Sequence, residues 1–277
     1  MIRTVIVAVF LGLYTLVLGP PLILYTLATR SADLLYWVGV KGLVFITRVA
    51  GMRVYVVGRE NIPPGVCLFA ANHTSNADAP AIIGAIPRRL AVFARKSLFD
   101  IPIVGLAFRL AKFVPVDRGN RDAALASVKQ AVEYIKTGSS FLVYPEGTRS
   151  PDGRLHRFKK GSFVMAIEAG VPIVPVACSG AHRIMKKKSL VIRPGKVTVR
   201  FGKPVDVSGY TVDQRNALAQ QVHDAVAAQL PDDQKPATST TLSERPLRKT
   251  MKSCGARHAL LLRHTVEDAI CSHRALE

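Results

Sequence analysis

Apolar residues crowd the first fifty positions of the chain and then thin into short runs. No charged residue occurs from 4 to 29, and positions 5–18 are nearly all aliphatic, a pattern that predicts a membrane-inserting helix. Gly19-Pro20-Pro21 is expected to interrupt it. The uninterrupted first piece then reaches about 22 Å, short of a hydrocarbon core of roughly 30 Å. A second apolar stretch, 34–49, carries Lys41 and Arg48 and reads as interfacial. The pattern therefore predicts a helical hairpin dipping into one leaflet, with a Pro-kinked helix spanning as far as Ala28 as the alternative. A secretory signal is disfavoured because the apolar region is long and its cleavage site poor. A buried core pair is disfavoured because few soluble helices are apolar all round.

After Gly58 short β-like runs alternate with helical spacing, which predicts an α/β layered domain, a mixed sheet flanked by helices. Candidate strands are 54–57, 67–71, 90–94, 141–144, 173–177 and 197–201; candidate helices are 121–136, 161–169 and a closing amphipathic helix at 212–230. Beyond Pro231 the chain turns polar and Pro-containing, so disorder is expected, followed by a basic, weakly helical stretch at 256–276. The expected organisation is a membrane-docking pair over 1–50, a globular domain over 51–230 and a tail over 231–277.

Charge narrows the partners. The 277 residues hold 38 Lys and Arg against 19 Asp and Glu, a formal net charge of +19, yet 49% are hydrophobic. A histone-like or disordered basic chain would be apolar-poor, so this is a folded protein with a cationic surface. The first 230 residues hold 30 of the cations and 13 of the acids, which places the excess on the folded part. Such a surface attracts nucleic acid, anionic lipid or phosphorylated substrates. No helix-turn-helix, RNP-like or zinc-finger pattern supports the first of these. Cys67, Cys178, Cys254 and Cys271 are scattered without metal-ligand or C-x-x-C spacing, and read as reduced thiols of a cytosol-facing protein.

Two polar turns follow apolar strands, where open α/β sheets place their sites. In Asn72-His73-Thr74-Ser75-Asn76-Ala77-Asp78, His73 and Asp78 cannot share one face of a continuous helix, since five residues rotate by about 500°. They can pair if His73 lies in the turn and Asp78 one turn into the helix. The carboxylate then fixes the ring tautomer and leaves the other nitrogen as a general base; the competing reading makes these residues caps and turn formers. In Tyr144-Pro145-Glu146-Gly147-Thr148-Arg149, Gly147 permits a tight turn, Arg149 can grip a phosphate, and Glu146 can accept a hydroxyl or position the arginine. Val114-Pro115-Val116-Asp117-Arg118 offers another guanidinium. The run 171–177, with two prolines, reads as an edge strand or tunnel wall. His73 and Asp78 as metal ligands would need a third ligand, and none has recognisable spacing.

In this order the four blocks resemble the glycerolipid acyltransferases, and most of all their 1-acylglycerol-3-phosphate acyltransferase family, over about residues 50 to 205. The segments around Lys96 and 101–105 are similar to the family's stretch between the first two blocks. The resemblance implies a glycerol-3-phosphate acyltransferase-like fold. It also implies transfer of a fatty acyl group from acyl-CoA or acyl carrier protein to the sn-2 hydroxyl of lysophosphatidic acid, giving phosphatidic acid. It makes His73 and Asp78 catalytic, and Arg118, Glu146, Gly147, Thr148, Arg149 and Lys96 substrate-binding. No cofactor or metal is expected, because a thiolate leaves readily. Membrane lipids are the expected partners, at the cytoplasmic face of a membrane, a bacterial inner membrane by the likeness of the helical pair. Arg88, Arg89, Arg95, Lys96, Lys112 and Arg121 are expected to form a basic rim, and Lys186-Lys187-Lys188 an exposed loop. Another acceptor, such as glycerol 3-phosphate, or a non-catalytic lipid-binding relative are the alternatives.

Overall fold

A computed structural model describes residues 2–117 and 121–237. Helix α1 (Ile2–Thr29) and helix α2 (Asp33–Val49) come first. The strands are β1 (Met52–Val57), β2 (Leu68–Ala71), β3 (Leu90–Arg95), β4 (Val114–Val116), β5 (Ser140–Val143), β6 (Ile173–Ser179) and β7 (Gly195–Phe201). Between and after them lie α3 (Asp78–Ala85), α4 (Pro102–Leu110), α5 (Arg121–Lys136), α6 (Gly161–Ala169), α7 (Ala181–Ile184) and α8 (Arg215–Ala227). The strands form one sheet in the order β1-β7-β6-β2-β5-β3-β4. Every pairing is parallel except β6 with β7.

The central strands read as unbroken apolar runs because both sheet faces are covered. Phe69, Ala71, Leu142, Val174 and Val176 enter a core beneath α2 and α3. Their neighbours Leu68, Ala70, Phe141, Val143 and Ile173 enter a second core beneath α5, α6 and α8. This alternation is the two-residue period of a strand with apolar partners above and below.

Four sequence expectations change. First, α1 runs unbroken through Pro20 and Pro21. Apolar runs lie on both sides of the prolines, and a break between them would leave peptide groups unpaired. Second, the run 171–177 is not an edge: β6 lies between β7 and β2, and Ile173 to Cys178 are buried. Pro175 faces the β7 side, where the neighbouring chain leaves the ladder and rejoins as Val205 pairs with Ile173. Its missing N–H therefore falls in a gap. Third, 114–116 forms a strand, β4, on the sheet edge, where Pro115 is tolerated. Fourth, the compact unit extends to Pro236 rather than 230. Gln234, 2% exposed, accepts from Gly180 N (3.1 Å), donates to Gly153 O (3.2 Å) and lies 3.0 Å from His182 Nδ1. Its own carbonyl accepts from Leu155 N at 2.8 Å. Residues 238–277, with Cys254, Cys271 and the 256–276 stretch, lie outside the described residues.

Helix α1 packs along the body on one stripe. Thr4, Val7, Phe10, Tyr14, Leu18, Leu22 and Thr26 are covered at three- and four-residue spacing, and most of the remainder is bare apolar surface. Thr4 Oγ1 donates to Leu190 O at 2.8 Å, Tyr14 Oη donates to Val38 O at 2.7 Å, and Gly19 fits closely against Ile103 of α4.

Candidate active site

Strands β2 and β5 are neighbours in register, Leu68 beside Phe141 and Ala70 beside Val143. Their carboxyl-end loops, 72–77 and 144–160, therefore emerge side by side. The first loop is tied down by Asn72, whose amide donates to Cys178 O (3.0 Å) and accepts from Cys178 N (2.7 Å), continuing the ladder to β6 with a side chain. Ser75 Oγ donates to Met185 O at 2.7 Å.

Asp78 opens α3 and is fully buried. Its Oδ2 accepts from Thr74 N (2.7 Å) and Ser75 N (2.8 Å) and lies 3.0 Å from His73 Nδ1; Thr74 Oγ1 donates to Oδ1 at 3.3 Å. Both amides belong to the turn that precedes α3, and no side chain caps that helix, so of the two sequence readings Asp78 fulfils that of histidine partner and turn brace but not that of a cap. Because a carboxylate only accepts, Nδ1 carries the proton and Nε2 keeps its lone pair. The His73 ring stacks on Tyr144 with centroids 4.1 Å apart and planes at 24°. The Tyr144 hydroxyl is buried with no hydrogen-bond partner among the described residues, and burial pushes its pKa well up.

Glu146 occupies a different place from the one its motif predicts. It is 5% exposed, and its Oε1 accepts from His73 N at 2.6 Å while Oε2 accepts from His156 N at 3.2 Å. Both oxygens are spent on backbone, so the side chain positions His73 instead of facing a glycerol. Burial pushes its pKa up to about 7, outweighing the two amide donors. Ser150 N donates to His73 O at 2.7 Å, so both backbone groups of the histidine are held by the second loop.

Gly147 has φ +74°, and a Cβ there would stand 2.8 Å from Lys159 Nζ. The position suits glycine on both counts. Thr148 is exposed and Arg149 half-buried beside it, so Thr148, Arg149 and Lys159 surround one turn. Lys159 and Tyr144 escaped the sequence reading; Lys159 returns to the site only because Lys159 N donates to Pro145 O at 2.8 Å. Lys96 directly follows β3, the strand that pairs with β5. It lines a cavity of about 620 Å³ with Phe99, Arg109, Phe113 and Tyr134, and no residue of the two site loops lines that cavity. Arg118 lies outside the described residues.

Comparison with known proteins gives this geometry a context. Residues 53–179 match the Acyltransferase family model. The chain is 34% identical over 196 residues to a 1-acyl-sn-glycerol-3-phosphate acyltransferase of Limnanthes douglasii, covering 70% of this chain and 69% of that one. It is 36% identical over 158 residues to one from Haemophilus influenzae, covering 57% of this chain and 65% of that protein. Among solved structures it resembles the 1-acyl-sn-glycerophosphate acyltransferase PlsC of Thermotoga maritima, with TM-score 0.71 and 29% identity over 81% of this chain and 92% of that one.

Proposed function

The chain belongs to the 1-acyl-sn-glycerol-3-phosphate acyltransferase family, and from that premise we propose that it acylates the sn-2 hydroxyl of lysophosphatidic acid from a thioester donor, giving phosphatidic acid. The observation that carries the mechanism is the imidazole fixed by a buried carboxylate, with its second nitrogen unencumbered. His73 Nε2 takes the sn-2 hydroxyl proton as that oxygen attacks the thioester carbonyl. Asp78 stabilises the imidazolium that forms. When the tetrahedral intermediate collapses, the C–S bond breaks and the departing sulfur takes the proton from His73, leaving as thiol and restoring the neutral base. No acyl-enzyme is formed. A thiolate is a good leaving group, so the chemistry asks chiefly for a base and for positioning.

Arg149, Thr148 and Lys159 supply the anion-binding side for the glycerol phosphate, a role that the family resemblance also gives Arg118. Glu146 and Ser150 hold the histidine's backbone so that base and phosphate site share one frame. In this reading the donor is a coenzyme A or acyl carrier protein thioester, both cytosolic, and the site belongs at a cytoplasmic membrane face; the free buried thiols Cys67 and Cys178 support it. For a bacterial member that face is the inner membrane's. Helix α1, whose hydropathy and length suffice to cross a bilayer, is tied to the body at Thr4 and Gly19. In this reading it lies in one leaflet beside α2, a placement that those two contacts support.

The deciding experiment is thiol release from oleoyl-CoA with a panel of acceptors. Lysophosphatidic acid is expected to support the fastest turnover, and His73→Ala to lower it by about 10²- to 10⁴-fold, the usual worth of a general base. Preference for glycerol 3-phosphate would replace the acceptor, and near-normal turnover by His73→Ala would remove the mechanism.

A further inference from the structure

The fourteen residues 183–196 contain six Lys or Arg and no Asp or Glu, and they follow the segment matched by the family model. Within them Lys186 and Lys188 are exposed, and Leu190 is 79% exposed. A bare leucine among lysines has no explanation in the packing of the body. The turn is closed by Ser189 N donating to Lys186 O at 3.0 Å. Lys188 takes φ +66°, a left-handed conformation that glycine or asparagine adopts at less cost. A lysine is thus kept where the backbone would prefer another residue.

Three connections give the loop its place. Its Leu190 carbonyl accepts from Thr4 Oγ1 at 2.8 Å, and Ile192 N donates to the same oxygen at 3.2 Å, so it abuts the start of α1. Arg3 lies there too, against Gly51 beside Pro194. At the other end Lys187 Nζ donates to Arg149 O, and Met185 O accepts from Ser75 Oγ. The loop thus spans from the apolar helix to the two loops of the site.

We infer that the Lys186–Leu190 loop is a bilayer-docking arm: Leu190 enters the interface while Lys186 and Lys188 meet the phosphates of anionic lipids. It rests on the membrane-bound reading above. The occupant is a lipid surface because the loop abuts the start of α1, where Ile2, Val5 and Ile6 are bare, and combines an exposed apolar side chain with exposed cations. An acidic protein would complement the lysines but would leave Leu190 and the adjoining helix face unexplained. Docking at this arm sets the distance of the Arg149 turn from the headgroup layer.

The test uses the full chain with Lys186→Gln and Lys188→Asn combined, since asparagine suits the left-handed turn, and separately with Leu190→Ser. Partition is measured into phosphatidylcholine vesicles and into vesicles with about one third phosphatidylglycerol. The anionic-to-neutral ratio cancels the contribution of α1. The double variant should lower that ratio about tenfold or more, at roughly one kcal/mol per lysine near a charged surface. Leu190→Ser should weaken binding to both vesicles several-fold and leave the ratio unchanged. Thiol release with a short-chain, monomerically dissolved lysophosphatidic acid should be unaltered in both variants. An unchanged ratio in the double variant overturns the arm. So does an unchanged ratio with a loss of turnover confined to acyl carrier protein as donor, which would make this an acidic-protein surface. Absence of turnover by the unmodified protein on the dissolved acceptor would instead count against the proposed reaction, with the ratio still deciding the arm.

Discussion

Glu146 shows how a single buried carboxylate serves a site it never faces. Its two oxygens bridge the backbones of His73 and His156, and desolvation raises its pKa from 4.5 to about 7. The folded state therefore binds the proton more tightly than the unfolded chain. Stability from this group is fully present below the unfolded value and is lost as pH rises through about 7, by on the order of 3 kcal/mol. Glu146→Gln has no such titration, though its NH₂ must face one of the two amide donors and forfeit a hydrogen bond. The expected outcome is that the wild-type melting temperature falls relative to Glu146→Gln between pH 4.5 and 7. At pH 7 the variant's turnover should drop while its KM for lysophosphatidic acid stays nearly constant. Parallel melting curves across that range would show that the carboxyl does not titrate there.

Among the elements, the short segment after α8 carries more than its polar composition announces. Gln234 satisfies Gly180 N and Gly153 O, and its carbonyl takes Leu155 N, thereby bracing the loop that carries Arg149. Gln234→Ala should cost about 1–3 kcal/mol by stranding Gly180 N and Gly153 O, the two backbone groups its side chain serves. It should also raise KM for lysophosphatidic acid more than it lowers kcat, as followed by thermal melting and steady-state thiol release. A chain ending after 237 should retain activity, whereas one ending after 230 should behave like the glutamine variant or worse. Nothing in the sequence marks Gln234, because its partners lie 54 and 81 residues away. The same reason separates what could be read from what could not. The His73–Asp78 pair was legible because its geometry is local, five residues across a strand-to-helix turn. The Glu146 bond to His73 spans 73 residues, and its motif alone pointed to substrate. Six strands were legible from their apolar runs, but β4, three residues with a central proline, carries too little pattern to register. The fate of Pro175 depended on a gap in a neighbouring strand that no local rule describes.

For the whole molecule, the apolar helices divide their labour. Tyr36 and Val40 of α2 belong to the core, and Tyr36 Oη accepts from Leu90 N at 3.0 Å. Helix α1 contributes little to the core and leaves most of its apolar surface bare. Removing residues 1–29, not 1–50, is therefore the discriminating truncation. In high salt, which screens the lysines and arginines, the shortened protein should leave the membrane fraction and keep a cooperative melting transition. Tight association under those conditions would assign the anchor to α2 or the basic loops. On the membrane-bound reading proposed above, the 30 cations against 13 acids in the first 230 residues act mainly as a surface field that holds the body flat, and only a few of them touch substrate. In the membrane-bound arrangement proposed above, α1 is fastened to the body at Thr4, Tyr14 and Gly19, so the catalytic loops cannot swing freely away from the leaflet. Encounter with the lysolipid becomes a search in two dimensions. Its rate is governed by the mole fraction of acceptor in the bilayer, so inert lipid added at constant total acceptor slows the enzyme by dilution within the surface.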